Sequence, residues 1–227
     1  MKNQQTNHFG VKQSRDQSLW QRSRIHPLLK QLAGVVLMAG SVRPTPFHQE
    51  IGRSILDLPL DLDGTILHHW QHQGEALAAM MQRDYLELKV MVDASSLMPT
   101  SMSPASRVAV TMERDPLELR GTGGVLHDLA RRFDDDDYLL VASARQVLLD
   151  PLPTIANAMA AMESDVVLVS HHTGVPSGLM LLRCGCLRDL SPVGFVDMKE
   201  QALSQIAKQY RVKVLHHDES SGVPVRT

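Results

Sequence analysis

Short apolar runs alternate with stretches of helical periodicity over most of this 227-residue chain. The runs at 35–38, 138–143 and 165–170 contain few polar residues, which is typical of parallel strands covered on both faces. The stretches between such runs suit helices of about 10 to 15 residues, and this alternation indicates βαβ units. The sequence therefore predicts a single α/β domain with a Rossmann-like, mostly parallel sheet and helices on both faces.

The same pattern predicts where the individual elements lie. Val35–Met38, Tyr138–Val141 and Val166–Val169 are expected to be the central strands. Further strands are predicted at 86–94, 107–113, 177–184 and 211–217, and helices at 19–32, 65–81, 119–133, 153–164 and 197–210. We expect one domain over residues 25–227, preceded by a mobile, polar N-terminal arm over residues 1–24.

The charge balance bears on the class of ligand. The formal net charge is −2, from 23 Lys and Arg residues against 25 Asp and Glu residues. A dedicated nucleic-acid surface normally shows a clustered basic excess, so we expect no nucleic-acid partner. A small anionic ligand held by one or two arginines is compatible with this balance. Oligomerisation is left open by the sequence.

Cysteine usage and hydropathy bear on the compartment. Cys184 and Cys186 are two residues apart, a spacing at which a disulfide would be strained, and two thiolates cannot complete a four-ligand zinc site. We interpret them as half-buried thiols in a reducing compartment. No apolar run approaches the ~18 residues of a membrane helix, and the N-terminus lacks the apolar core of a secretory signal. These features predict a cytoplasmic protein without membrane association.

A strand that enters a small-residue turn is the first candidate ligand segment. In "GVVLMAGSVRPTPF", residues 34–47, an apolar run leads into Ala39, Gly40 and Ser41. A turn of this kind can hold a phosphate against backbone N–H groups.

A glycine-rich turn that opens a helix is the second candidate. In "RGTGGVLHDLA" the glycines Gly121, Gly123 and Gly124 let the backbone approach a flat ligand, and Thr122 can cap the helix. The same pattern also serves as a tight turn before any helix. Both interpretations therefore stay open for this segment.

Taken in order, these segments resemble those of the sugar-phosphate nucleotidyltransferases, the pyrophosphorylases that make NDP-sugars from a nucleoside triphosphate and a sugar 1-phosphate. That family has an AGG-x-GTR-L-x-P loop after the first strand, a P-K-P-L-L-P segment, a LGT-A-GA turn before a helix and a strand ending in N-G-D. The matching stretches here are "VVLMAGSVRPTPF", "GRSILDLPL", "RGTGGVL" and "DYLLVASARQ", and "GFVDMKEQAL" continues the likeness. The resemblance covers most of the chain after residue 34.

The resemblance implies roles for the residues of the first two motifs. Ala39, Gly40 and Ser41 would lie beneath the triphosphate. Arg43 would neutralise the departing pyrophosphate, and Arg53 stands where the family has a lysine that faces phosphates. The implied reaction is in-line attack of a sugar phosphate oxygen on the α-phosphorus.

The later motifs would supply the rest of the site. The resemblance implies a nucleotide-binding turn formed by Gly121, Thr122, Gly123 and Gly124, which would pack against the base and ribose. It implies a sugar-phosphate subsite that includes Gly178, Asp197 and Lys199. An active enzyme would use Mg²⁺ to bridge the phosphates, whereas an inactive relative would need no cofactor.

Departures from the family pattern bear on activity. The loop after the first strand is shorter and lacks the second glycine, and Ala144 stands where the family has its metal-binding aspartate. "HHTGVP" replaces the E-K-P element, and the sequence reaches "VPVRT" without the late aspartate motif. Two functions follow: a nucleotidyltransferase that supplies activated sugar for polysaccharide or envelope synthesis, or a catalytically inactive relative that binds a nucleotide or sugar nucleotide as a regulatory or partner subunit.

A third function is an unrelated Rossmann-type transferase. Such a protein needs an acidic residue after the second strand to hold a ribose, and Asp93 is the candidate.

Several polar groups also have structural interpretations. His68 and His72 share a helix face but lack a third zinc ligand at a useful spacing. The four aspartates at 134–137 are expected in a solvated loop. Asp197 is well placed to cap a helix instead of binding sugar. Arg53 could equally pair with Asp57 or Glu50.

Overall fold

The structure is a computed structural model that describes residues 25–40, 50, 52–62, 64–94, 96–100, 102, 107–115, 120–171, 176–190, 194–216 and 222–224. The predicted arm at 1–24, and Ser41 and Arg43 of the predicted phosphate loop, lie outside the described residues. Within the described part of the chain, no helix is both long and apolar enough to cross a bilayer.

The strands are β1 Leu32–Met38, β2 Leu86–Val92, β3 Val108–Arg114, β4 Tyr138–Ser143, β5 Gln146–Leu148, β6 Val166–Ser170, β7 Pro176–Arg183, β8 Val212–His216 and β9 Gly222–Pro224. A seven-stranded sheet has the order β3-β2-β1-β4-β7-β6-β8, and β5 pairs with β9 in a small second sheet. Within the large sheet, β7 is antiparallel to both its neighbours, β4 and β6, and the other described pairs are parallel.

The helices are α1 Ile66–Met80, α2 Gly121–Ala130, α3 Leu152–Ala160, α4 Cys184–Arg188 and α5 Leu203–Ile206, and a π-helical turn at Met198–Ala202 leads into α5. Single 3₁₀ turns lie at Pro27–Gln31 and Ile55–Asp57. α1 and α3 pack in one apolar cluster on the sheet, whereas α2, α4 and α5 pack in a second cluster.

The residues of β1 divide between these two clusters, as a strand covered on both faces requires. Val35 and Leu37 pack in the cluster that contains Trp70 of α1, and Val36 packs in the cluster that contains Leu126 of α2. Each of these side chains is at most 1% exposed. The sheet therefore lies between two helical layers.

The order of the strands reverses at β1. The chain runs from β1 to β2 and β3 on one side, and then crosses over to β4 on the other side. α1 and α2, the helices that make these two excursions, lie on opposite faces. In open α/β sheets, ligands bind in the crevice outside the carboxyl ends of the strands at such a point. The residues that follow β1 and β4 therefore lie where this fold is expected to bind a ligand.

The predicted fold class is confirmed, because one mostly parallel sheet contains all three strands that the sequence singles out. β1 and β4 are adjacent in the middle of the sheet. The third, β6, is not central: it lies next to the edge strand β8. The reason is the reversed strand β7, which inserts between β4 and β6.

The predicted element bounds are wrong at several ends. Of the predicted helix at 19–32, the described residues show only the 3₁₀ turn that begins at Pro27, and Leu32 already belongs to β1. The predicted helix at 197–210 starts after Asp197 as expected but ends at Ile206. The short elements β5, β9 and α4 were not predicted, because each is too short for periodicity to show.

Candidate nucleotide site

The carboxyl ends of β1, β2 and β4 are joined by backbone hydrogen bonds beyond the strands themselves. The N–H of Ala39 donates to the carbonyl of Met91 at 2.8 Å, and the N–H of Ala144 donates to the carbonyl of Met38 at 3.1 Å. The turn that follows β1 therefore starts between β2 and β4, and these two backbone hydrogen bonds hold it there.

Gly40 lies directly against Asp93, the first residue after β2. A Cβ at position 40 would lie 2.9 Å from the backbone nitrogen of Asp93 and 3.4 Å from its Oδ2. A side chain at this position would displace the backbone of the neighbouring loop, so the close approach requires glycine. A carboxylate consequently stands beside the turn that the sequence predicts for the triphosphate.

The loop that carries Asp93 is held by neighbouring groups. Oδ1 of Asp93 accepts a hydrogen bond from the N–H of Ser96 at 2.6 Å, and Oδ2 accepts one from the Ser96 hydroxyl at 2.9 Å. The guanidinium of Arg114 donates to the carbonyls of Asp93 and Ala94 at 2.9 and 2.5 Å. These contacts fix the direction of the Asp93 side chain.

The glycine turn at the start of α2 packs against the backbone of Val196. Gly121 has a φ of +72°, and a Cβ there would lie 2.4 Å from the Val196 carbonyl oxygen. The N–H of Gly123 donates to the same oxygen at 2.8 Å, and the N–H of Val196 donates to the carbonyl of Arg120 at 2.8 Å. The two glycines thus allow a protein segment to approach the first turn of α2.

Thr122 does not cap the helix that it was predicted to cap. The N-cap of α2 is Arg120, without a side-chain capping bond. The Thr122 hydroxyl instead accepts a hydrogen bond from the N–H of Met198 at 3.0 Å. The prediction failed because residues 194–198, which the sequence places far away, occupy the space in front of this turn.

Arg120 ties the glycine turn to the end of β3. Its guanidinium forms ion pairs with Asp115, at 3.0 Å, and with Asp128 on α2. Burial disfavours the charged guanidinium, but the hydrogen bonds to Asp128 and Asp115 outweigh this effect and raise the pKa of Arg120. The hydrogen bond from Arg120 lowers the pKa of Asp128 in turn. The turn is therefore anchored on both sides.

Asp197 has the capping role that its sequence position suggests. Its Oδ1 accepts hydrogen bonds from the N–H groups of Lys199 and Glu200 at 2.8 and 2.9 Å. Lys199 is exposed. Because Val196 contacts the start of α2, Asp197 and Lys199 are close in sequence to a segment that contacts the predicted nucleotide turn. Their predicted contact with a sugar phosphate stays a prediction.

Gly178 lies on β7, beside the carboxyl end of β4. Its φ is +91°, and a Cβ there would lie 3.2 Å from the Cβ of Ser143 and 3.7 Å from Oε1 of Gln146.

Ala144, the next residue after Ser143, is fully buried. The position that would carry the family's metal-binding carboxylate thus holds a methyl group.

Arg53 is exposed and lies at a bend just before the 3₁₀ turn Ile55–Asp57. Asp57, a suggested partner of Arg53, accepts hydrogen bonds on both carboxylate oxygens from the N–H of Thr100 at 3.0 Å. The assigned phosphate role of Arg53 stays a prediction, as do those of Ser41 and Arg43.

Two of the three histidines of α1, His68 and His69, have structural partners. Nδ1 of His68 accepts from the N–H of Thr65, and the Thr65 hydroxyl accepts from the N–H of His68, both at 3.3 Å, which makes a reciprocal cap. Nε2 of His69 accepts from the N–H of Leu148 at 3.2 Å. Burial lowers the pKa of His69. Among the described residues, no three His, Cys, Asp or Glu side chains are placed to hold a metal ion.

The aspartate loop agrees with its predicted interpretation, and the cysteines are unpaired as expected but more buried than predicted. Asp135 and Asp136 are exposed in the loop after α2 and pair with Arg188 and Arg183 at 2.8 and 3.0 Å. Cys184 and Cys186 are free thiols, although they are fully buried instead of half-buried.

Sequence reasoning missed three residues around the site: Arg120, Gln146 and Val196. Val196 acts through its backbone carbonyl, which has no side-chain signature. Gln146 could have been noticed as an amide that directly precedes the apolar run in "ARQVLLD". Asp93 was considered only as a ribose ligand. Because β1 and β2 are consecutive parallel strands, their following residues meet at one edge, and this rule would have placed Asp93 beside Gly40.

No protein-family model matches the chain, and no curated protein matches it by sequence. Solved structures do match its fold. HddC from Yersinia pseudotuberculosis is 13% identical over 86% of this chain and 94% of its own, with a TM-score of 0.54. A putative glucose-1-phosphate thymidylyltransferase from Bacillus anthracis is 9% identical over 84% and 87%, with a TM-score of 0.60. Rv0371c from Mycobacterium tuberculosis H37Rv is 16% identical over 87% and 94%, with a TM-score of 0.54.

These matches show the class of fold. The chain has a sugar-phosphate nucleotidyltransferase-like fold, and the predicted resemblance is confirmed at that level.

Proposed function

We propose that this protein binds a nucleoside triphosphate and a sugar phosphate, or the NDP-sugar they form, at the carboxyl edge of its sheet. The reaction class is nucleotidyl transfer. An oxygen of a sugar 1-phosphate forms a bond to the α-phosphorus, the bond from that phosphorus to its bridging oxygen breaks, and pyrophosphate leaves. The NDP-sugar would serve polysaccharide or envelope synthesis.

The observation that carries this proposal is the contact between Gly40 and Asp93 where the strand order reverses. Because Gly40 has no side chain, the backbone of Asp93 packs within 2.9 Å of the Cβ position, which brings the Asp93 carboxylate to the point where open α/β sheets bind their ligands. Proteins of similar fold support the ligand class: HddC has a structure complexed with GMP-PN, and the Bacillus anthracis protein has one in complex with a sucrose.

The chain's own residues would act by position and charge. Backbone N–H groups near Gly40 would face the triphosphate, and the exposed guanidinium of Arg53 would approach its phosphates, together with Arg43. Positioning and electrostatic stabilisation supply most of the rate in phosphoryl-type transfers, because the protein forms no covalent bond with the substrate.

The described residues do not fit a protein-anchored Mg²⁺. Magnesium prefers carboxylate and other oxygen ligands in octahedral geometry. The alanine at position 144 supplies none, and no group of three potential ligands converges within the described residues. Asp93 places one carboxylate beside Gly40, but its oxygens already accept hydrogen bonds from Ser96. The ion therefore has no established protein anchor among the described residues.

A second candidate function is binding without efficient turnover, and Ala144 is the observation that favours it. The residue is fully buried and its N–H is bonded to the carbonyl of Met38, so the backbone at this position is fixed. Loss of one electrostatic contact to developing charge typically lowers the rate by on the order of 10² to 10³. A regulatory or partner subunit that senses a nucleotide or sugar nucleotide would tolerate this loss.

The test joins calorimetry with a pyrophosphate-release assay. Nucleoside triphosphates and NDP-sugars are titrated into the wild type, which is then assayed with a panel of sugar 1-phosphates. Heat of binding with pyrophosphate release identifies the enzyme, and binding alone identifies the second candidate. Absence of binding for every nucleotide and NDP-sugar would overturn both.

The variant Ala144→Asp sharpens the choice. If the missing carboxylate limits the reaction, this variant gains Mg²⁺-dependent pyrophosphate release over the wild type. Equal and robust release by both proteins would show that the carboxylate comes from elsewhere, and Asp93→Asn would then test the nearest candidate.

A further inference from the structure

Gln146 carries a buried polar atom that has no hydrogen-bond partner among the described residues. The residue is 3% exposed, and its Oε1 makes no hydrogen bond within the described structure. Nearly all buried polar atoms in folded proteins are hydrogen-bonded, because an unpaired one keeps the full penalty of losing water. An exception at the carboxyl edge of the sheet points to a donor that arrives with a ligand.

The oxygen lies next to the position that a side chain at residue 178 would occupy. Gly178 has no Cβ, and the position of that atom lies 3.7 Å from Gln146 Oε1 and 3.2 Å from the Cβ of Ser143. The φ of +91° at Gly178 turns its backbone away from the regular strand path. Gln146, Ser143 and Gly178 thus surround a small cradle between the ends of β4 and β7.

The backbone of Gln146 is held in place from the opposite side. Its carbonyl accepts a hydrogen bond from the indole N–H of Trp70 at 3.1 Å, and Trp70 is fully buried. Two residues later, the N–H of Leu148 donates to Nε2 of His69. The cradle therefore has a wall that is rigid before any ligand arrives.

The position of the cradle selects one part of the ligand. Gly40 follows β1, whereas Gly178 lies on β7, two strands away in the order β1-β4-β7. Neighbouring strands are about 4.8 Å apart, so the two sites are separated by roughly 10 Å across the sheet. A ligand whose phosphates lie at Gly40 would place its sugar near the cradle.

We infer that Oε1 of Gln146 accepts a hydrogen bond from a hydroxyl of the sugar in an NDP-sugar, in the cradle formed with Ser143 and Gly178. The inference rests on the proposed function. A carboxamide oxygen accepts hydrogen bonds only, so it recognises a hydroxyl and disfavours a phosphate oxygen. Gln146 is accordingly a binding residue for the sugar and takes no part in bond making.

The test compares an NDP-sugar with its own nucleotide. UDP-glucose, dTDP-glucose, ADP-glucose and GDP-mannose are titrated by calorimetry against UDP, dTDP, ADP and GDP. The variant Gln146→Met keeps the size of the side chain and removes the acceptor. We expect the preferred NDP-sugar to bind about tenfold more weakly to Gln146→Met, with the affinity for the matching NDP unchanged.

A stability measurement gives an independent readout. Because Gln146→Met removes an unpaired buried acceptor, its midpoint of thermal unfolding without ligand is expected to equal or exceed that of the wild type. The matched control is Gln73→Met, because Oε1 of Gln73 does have a partner, the N–H of Leu152 at 2.7 Å. That variant should melt earlier and keep the sugar preference.

The outcomes separate the inference from the proposed function. If NDPs bind but the sugar adds no affinity, or if Gln146→Met weakens the NDP and the NDP-sugar equally, the sugar role of Gln146 is wrong and the proposed nucleotide site stands. If Gln146→Met melts well below the wild type, the carboxamide of Gln146 has a structural role and the inference is also wrong. Binding of no nucleotide at all overturns both.

Discussion

The Thr122 hydroxyl accepts a hydrogen bond from the N–H of Met198 at 3.0 Å, so the first turn of α2 is bonded to the start of the C-terminal helical segment. The bond is one of a set, because the carbonyl of Val196 also accepts from Gly123 at 2.8 Å. Two stretches that resemble separate motifs in the sequence are therefore one structural unit. Any ligand that contacts the turn of α2 contacts a surface whose shape depends on both.

Thr122→Val removes the acceptor and leaves the buried N–H of Met198 without its partner. We expect a loss of about 1–3 kcal/mol in the free energy of unfolding, whereas Thr122→Ser, which keeps the hydroxyl, should lose less. Denaturant unfolding measures both. Equal stability of the wild type and Thr122→Val would show that this bond does not hold the two segments together.

Gly40→Ala tests the close approach to Asp93 against a matched glycine. A Cβ at position 34, on the same strand β1, would lie 3.1 Å from the carbonyl oxygen of Glu87, so Gly34→Ala crowds the β2 backbone away from the site. Both variants should lose about 1–3 kcal/mol from overpacking. Only Gly40→Ala should weaken nucleoside triphosphate binding, by about tenfold or more. A similar loss of affinity in both variants would contradict a local role for Gly40.

The pH dependence of stability should reflect Asp165. Burial disfavours its carboxylate, but the hydrogen bonds from the N–H of Arg211, at 3.0 Å, and from Arg183, at 2.9 Å, outweigh this effect and hold the pKa below the ordinary 3.8. A carboxylate with a depressed pKa stabilises the fold above its unfolded-state pKa, and this contribution is lost as the pH falls through the folded-state value. The wild type should therefore lose stability in that acid window.

Asp165→Asn isolates this effect. Its deficit in unfolding free energy against the wild type should be largest near neutral pH and should shrink below about pH 4. The control is Asp136→Asn, since that side chain is 79% exposed although it also pairs with Arg183. An exposed pair contributes about 0–1 kcal/mol, so this control should change little. A deficit in Asp165→Asn that stays constant with pH would refute the assignment.

The two thiols should be unreactive in the folded protein. Burial raises the pKa of Cys184 and of Cys186 to about 12, and the thiolate is the reactive form. At pH 8, a disulfide reagent such as Ellman's should label neither thiol on the timescale on which it labels both in denaturant. Rapid labelling of the native protein would mean that α4 opens readily.

The strands were predictable because their signal is local. Each of β1, β4 and β6 is an apolar run, and burial on both faces of a sheet produces that pattern whatever the rest of the chain does. The reversed direction of β7 was not predictable in this way, because strand direction depends on pairing with β4 and β6. β6 was wrongly predicted to be central for the same reason, because the sequence does not show that β7 inserts between β4 and β6.

The site was predictable only in part, for a related reason. Gly40 and Gly121 could be singled out because glycine is informative by itself. What each glycine contacts, Asp93 in one case and Val196 in the other, is decided by residues 53 and 75 positions further along the sequence. The GTGG turn therefore resembled a helix start with an open front, whereas the structure shows the backbone of another segment there.

The direction of β7 has a consequence for how the binding edge can change over time. On the Gly40 side, consecutive strands are parallel, so the chain between them must cross from one end of the sheet to the other. On the Gly178 side, β6 and β7 are antiparallel neighbours, and Ser170 pairs with Pro176. A connection between antiparallel neighbours needs no crossover, so its length is not tied to either helical layer. The connection on the Gly178 side can therefore change in length at less structural cost than the crossovers on the Gly40 side.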